Sequence, residues 1–165
     1  MICLGTNDEN TKEKGRNTPV TQIKRFSLVK PTLNTPFHID FDWWRQNDRE
    51  WRVHLRSCLP AEYQQAFADA DTEEVDWVDP ETAEVQRVDG LQHVLINYAA
   101  SNDDFITNQT TLVESVFRIL LANGNNPLTA NELGERLRRP PMTILRTIAG
   151  VRVYKGIRPC PECTE

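Results

Sequence analysis

From residue 36 the chain alternates. Phe37, Ile39 and Phe41 are apolar, and His38, Asp40 and Asp42 between them are polar. A period of two predicts a short strand with one buried face. Asn47 and Glu50 then have the spacing of a capping box, and Trp51, Leu55 and Cys58 would fall on one side of the helix that follows. Pro60 opens a second short helix, in which Tyr63 and Phe67 pair at i, i+4. Val75 and Trp77, then Val85 and Val88, flank the segment Asp79-Pro80-Glu81-Thr82-Ala83, and Asp before Pro is a strong turn start, so a hairpin is expected. Asp89 and Gln92 cap a helix whose stripe is Leu91, Val94, Leu95 and Tyr98. A further helix from about Gln109 to Ala122 carries Leu112, Val113, Val116, Phe117, Leu120 and Leu121 over a wide arc, as a central helix would.

The stretch Asn126 to Arg158 is the most sharply patterned. Thr129 and Glu132 form a capping box, and Leu133 and Leu137 face inward. Arg138-Arg139-Pro140-Pro141 stops this helix and opens the next, because the second proline disfavours helix in the residue before it and is itself welcome in a first turn. Met142 to Ala149 is that next helix. Ile144, Leu145 and Ile148 form its inner side, and Met142, Thr143, Arg146 and Thr147 its outer side. Gly150 is expected as its C′ glycine. Val151, Val153 and Ile157 suggest a basic strand or hairpin carrying Arg152, Lys155 and Arg158.

The 165 residues carry a net charge of −5 with 39% hydrophobic residues, enough for a core in one domain or two small ones. The charge is unevenly placed. Residues 1–30 have six Lys/Arg and three acids, residues 31–109 five Arg and sixteen acids, and residues 110–165 eight Lys/Arg and five acids. The acidic middle should repel nucleic acid, so any such contact belongs to the C-terminal part, with help from the N-terminal arm. Residues 1–35 read as a polar, flexible arm, its last part extended. No apolar run reaches the length of a membrane span and the first residues have no signal-peptide core, so a cytoplasmic protein without membrane contact is expected. Four cysteines, at 3, 58, 160 and 163, are too few and too unevenly spaced for a disulfide scaffold.

The C-terminal third resembles the winged helix-turn-helix superfamily. The residues that carry the likeness are Phe117-Arg118-Ile119-Leu120-Leu121, Pro127-Leu128-Thr129, Glu132-Leu133-Gly134-Glu135-Arg136-Leu137 and Thr143-Ile144-Leu145-Arg146. Gly134 takes the small position where two helices approach closely. The likeness covers about 50 residues and departs from the pattern at Val151 to Arg158, a short wing without an evident second strand. It implies a third helix that enters the major groove with Met142, Thr143, Arg146 and Thr147 toward base edges. Arg138, Arg139, Arg152, Lys155 and Arg158 would then meet phosphates, which fixes position without reading sequence. Asn126 to Arg158 holds seven Lys/Arg and two acids.

Other constellations carry less. Cys160-Pro161-Glu162-Cys163 is half of a zinc knuckle with no second pair, and reads as a loose tail. His38, Asp40 and Asp42 would share one face of a strand, the start of a divalent-metal site, but nothing else in the sequence supplies converging ligands. Trp51 and Trp77 are expected in the core, with Trp43 or Trp44 on a partner surface. There is no phosphate loop, nucleophile elbow or zincin motif. The expectation is therefore an α+β protein: an arm over 1–35, an acidic α+β unit over 36–105, a winged helix over 106–159 and a tail over 160–165. It would be a non-enzymatic binder of double-stranded DNA without cofactor or metal, serving as a transcriptional or accessory regulator. The acidic unit would contact a protein partner or a second copy. The competing reading is an interaction subunit whose winged helix docks protein.

Overall fold

The computed structural model describes residues 30–67, 74–106 and 110–160. The fold is α+β, with short helices around two small antiparallel sheets. β1 (Pro36–Ile39) is followed by α1 (Phe41–Asn47), α2 (Trp51–Ser57) and α3 (Ala61–Ala66). The hairpin β2 (Glu74–Val78) and β3 (Val85–Asp89) leads into α4 (Gly90–Ser101) and a 3₁₀ turn at Asp103–Phe105. Then come α5 (Leu112–Ala122), β4 (Leu128–Thr129), α6 (Ala130–Leu137), α7 (Pro141–Ile148) and β5 (Ile157–Pro159).

The expected strand over residues 37–41 is cut short. Asp40 is the N-cap of α1, its carboxylate accepting the Trp43 N–H at 2.9 Å, so Phe41 and Asp42 already belong to a helix. Asn47 closes α1 rather than capping α2, its amide donating to the Trp43 carbonyl at 2.7 Å. The expected start of α5 at Gln109 lies outside the described residues, and within them α5 is capped by Thr111.

β1 is the middle strand of a sheet ordered β4-β1-β5. Phe37 lies opposite Leu128 on one side and Pro159 on the other, and Ile39 lies opposite Ile157. The strand assigned by sequence to the acidic unit is therefore the centre of the sheet that joins the two ends of the C-terminal part. Its far end is finished by a side chain. Asn125, at φ 58°, accepts from the Ile39 N–H at 2.8 Å and donates to the Ile39 carbonyl at 2.9 Å, standing in for a strand neighbour.

One core runs through the molecule. It joins Phe37 and Ile39 to Trp44, Trp51 and Leu55, to Leu91 and Leu95 of α4, and to Phe117, Leu121, Leu133 and Ile144. Trp44 is in this core, edge-on to Phe117 at 5.6 Å, rather than on a partner surface. Trp77 is only half-buried and lies against His93 at 5.4 Å. The hairpin stands out from the body, with Val78 and Val85 paired across its strands and both exposed.

Candidate nucleic-acid interface

The site begins with the two helices that present it. At the start of α6 the capping box is complete: Thr129 accepts from the Glu132 N–H, and the Glu132 carboxylate accepts from the Thr129 N–H at 2.8 Å. Leu133 is fully buried under α6. Next to it, a Cβ on Gly134 would come within 2.8 Å of the Pro141 ring and 2.9 Å of the Arg139 carbonyl. Only glycine lets α6 lie this close to the start of α7. The reversal between them turns on Arg138, which adopts a left-handed conformation at φ 51° and ψ 43°. Pro140 and Pro141 then open α7, with Ile144 and Ile148 buried beneath it.

Burial against the core leaves the opposite side of α7 to solvent. Met142, Thr143 and Arg146 are exposed there, and Arg138 and Arg139 are exposed at the turn before it. Arg152 is exposed beyond the helix, its guanidinium stacked over Tyr154 at 5.2 Å. Thr147 is half-buried, and its hydroxyl donates to the Thr143 carbonyl at 2.8 Å, so it is turned back along its own helix.

The remaining two predicted phosphate contacts are elsewhere engaged. Lys155 reaches inward to Glu114 on α5 and lies over the Phe117 ring at 5.1 Å. Arg158 pairs with Asp40 at 2.7 Å and stacks over Trp43 at 5.4 Å. Both are held by partners distant in sequence that the C-terminal pattern alone does not contain. The expected basic strand or hairpin also differs. Residues 151–154 are bent and irregular, 155–156 form a turn, and the strand is 157–159. The left-handed glycine is Gly156, at φ 70° after Lys155 at φ 51°, and not Gly150. A two-stranded wing is replaced by β5 paired to β1.

The charge balance of this stretch of the chain is one-sided. From Arg136 to Cys160 every charged residue is a cation. Among the described residues, Arg138, Arg139, Arg146 and Arg152 are in no ion pair. In the acidic part Arg52 meets Asp89 at 3.0 Å and Arg87 lies near Glu74 and Asp76, while Arg45 and Arg49 are exposed and, among the described residues, in no ion pair.

Three other groups complete the picture. Glu114 takes Lys155 and Arg118, the latter at 2.8 Å, and all three side chains are mostly buried. Burial pushes the Glu114 carboxyl up, but hydrogen bonds from Lys155 and Arg118 outweigh it and hold it below the ordinary glutamate value. Nearby, burial raises the Cys58 thiol, which keeps it protonated and unreactive. His38, Asp40 and Asp42 do not converge, since Asp40 holds Arg158 and Asp42 lies on α1. Burial also lowers the His38 pKa, so its ring is neutral near pH 7. Cys160 is buried and disulfide-bonded, and its N–H donates to the Pro36 carbonyl at 2.9 Å, so the fold continues through a residue expected in the tail.

Sequence reasoning had no signal for the Lys155–Glu114 pair or for Asn125, because both join positions far apart in the chain. Comparison with protein families, curated proteins and solved structures found no match to this chain.

Proposed function

We propose that the protein binds double-stranded DNA through the turn at Arg138 and Arg139 and the outer side of α7. Arg138, Arg139 and Arg152 would take phosphates, while Arg146, Thr143 and Met142 would face base edges. The observation that carries the reading is the group of five exposed arginines, Arg136, Arg138, Arg139, Arg146 and Arg152, in no ion pair among the described residues, on a stretch from residue 136 to 160 that holds no acid. A purely solvated face gains nothing from excluding every carboxylate, whereas a phosphate-facing surface does. Lys155 and Arg158 act here as positioning residues, the first tying the loop before β5 to α5 and the second tying β5 to the N-cap of α1. A regulator without enzymatic chemistry is the role that fits this reading.

The test is fluorescence anisotropy with a labelled mixed-sequence duplex across a salt series. Binding at low salt is expected, with a log–log salt slope of about −3 for the three phosphate contacts. Arg138→Glu combined with Arg146→Glu should abolish it. No binding at low salt overturns the reading.

A protein contact through the acidic part is favoured by one observation, the exposed Val78–Val85 pair on a hairpin flanked by Glu74, Asp76 and Glu84. A cytoplasmic location accompanies the DNA reading. The disulfide at Cys160 runs against a reducing compartment. Thiol titration of protein isolated under alkylating conditions decides between them: a free Cys160 supports the cytoplasm, and an oxidised one refutes it. No helix among the described residues is long and apolar enough to cross a membrane.

A further inference from the structure

A groove of about 660 Å³ separates the first turns of α5 from the turn between α6 and α7. Its rim is cationic. Arg136, Arg138 and Arg139 all border it. Arg136 gives one N–H to the Asn123 amide oxygen at 3.1 Å, and Arg138 and Arg139 have no ion pair among the described residues. Its walls are mixed: Ile106, Leu112, Leu137 and Pro140 supply apolar surface, and Thr110, Ser115 and Thr143 carry hydroxyls. The hydroxyl of Ser115, which also borders the groove, is already bonded to Thr110 and to the Thr111 carbonyl. Among the described lining residues every charged group is therefore a cation, and the Thr143 hydroxyl adds a neutral polar group beside them.

A bare phosphate would satisfy the rim and leave the apolar part of the walls wet. A neutral apolar molecule would satisfy the walls and leave the guanidinium groups without an anion. The volume is that of a small-molecule site. From this combination we propose that the groove binds a small organic anion, a carboxylate on an apolar body. The carboxylate is held by Arg138 and Arg139, and the body lies against Ile106, Leu112 and Pro140. Arg guanidinium groups suit this task because their fork matches a carboxylate edge.

The same arginines belong to the face assigned above to DNA. An anion seated in the groove would neutralise two of its phosphate contacts, so ligand and duplex oppose one another, by equal factors in each direction. This coupling rests on the DNA reading. The binding of the anion does not.

The experiment titrates the full chain with naphthoate and follows backbone amide chemical shifts and heat. Naphthamide serves as the uncharged twin and inorganic phosphate as the anion without an apolar body. Naphthoate should saturate and move the amides of Leu112, Leu137, Arg139 and Thr143. Naphthamide and phosphate should bind at least about tenfold more weakly. Arg138→Gln with Arg139→Gln should weaken naphthoate by a similar factor, and so should Ile106→Ser, each with an unchanged unfolding midpoint. The proposal is overturned if naphthamide binds as well as naphthoate, if shifts centre away from the groove, or if both variants bind as the parent does. Naphthoate binding without duplex binding supports the groove and sinks the DNA reading. Duplex binding without naphthoate does the reverse.

Discussion

Arg138 holds a backbone conformation that glycine adopts freely and arginine does not, at a strain of roughly 1 kcal/mol. A helix end is commonly closed by glycine or asparagine at such a position, so a charged side chain here runs against local preference. Its replacement separates the two roles. Arg138→Gly should leave stability unchanged or raise it by up to about 1 kcal/mol, while weakening duplex binding. Thermal unfolding and anisotropy on the same variant check both halves, and a loss of stability with intact binding refutes the argument. Lys155 is the opposite case, a cation with a structural task. In Lys155→Met the mostly buried Glu114 keeps only Arg118 and loses a charged partner, which should cost about 1–3 kcal/mol. The pH dependence follows in sign. Glu114 has a folded pKa below its ordinary value of 4.5, so its stabilisation is complete above that value and is lost as the pH falls through the lower folded one. Glu114→Gln should flatten the acid limb of a denaturation series there; an unchanged limb counts against the cluster.

At the scale of elements, the pairing of α6 with α7 depends on one missing methyl group. Gly134→Ala would drive a Cβ into Pro141 and a backbone carbonyl, and neither is the free end of a flexible side chain. A destabilisation of about 1–3 kcal/mol is expected, measured by urea unfolding, with duplex binding impaired even in the folded fraction because the turn carrying Arg138 is displaced. A drop in stability without any loss of affinity would show that the turn does not present the site. Gly134 was legible in the sequence because its cause is local. So were the capping box at Thr129, the Asp89 cap and the hairpin at Asp79, where turn and cap chemistry act within three or four residues. Phe41 and Asp42 were misread because alternation over six residues looks alike in a strand and in a strand that ends at a cap. Asn125 was invisible for another reason. It bonds to a strand 86 positions earlier, and nothing in an Asn next to a glycine announces that.

For the whole molecule, the order of the sheet decides how the parts depend on one another. The acidic part and the C-terminal helices were legible as composition, with sixteen acids in residues 31–109. Their joint was not, since strand pairing between residues 37 and 159 leaves no periodic trace. β1 supplies the only partner that β4 and β5 have among the described residues, and its Phe37 and Ile39 are fully within the core that α5 and α6 share. Trp44 and Trp51 enter the same core from α1 and α2. The two parts should therefore unfold together. Tryptophan fluorescence reports the first part directly, and a label on Arg146→Cys reports the exposed side of α7. In urea these two probes should give coincident transitions with one midpoint and one slope. A fragment of residues 106–160 loses β1, leaves Leu128 and Ile157 without their strand partner, and exposes the face of Phe117 that Trp44 covers. It should show no cooperative transition, and adding a peptide of residues 30–60 should restore one only in part, because joining two chains adds an association cost that the intact chain avoids. Two separated midpoints in the full chain, or a cooperative fragment, would show that the C-terminal helices form a unit of their own and that β1 is an addition to it.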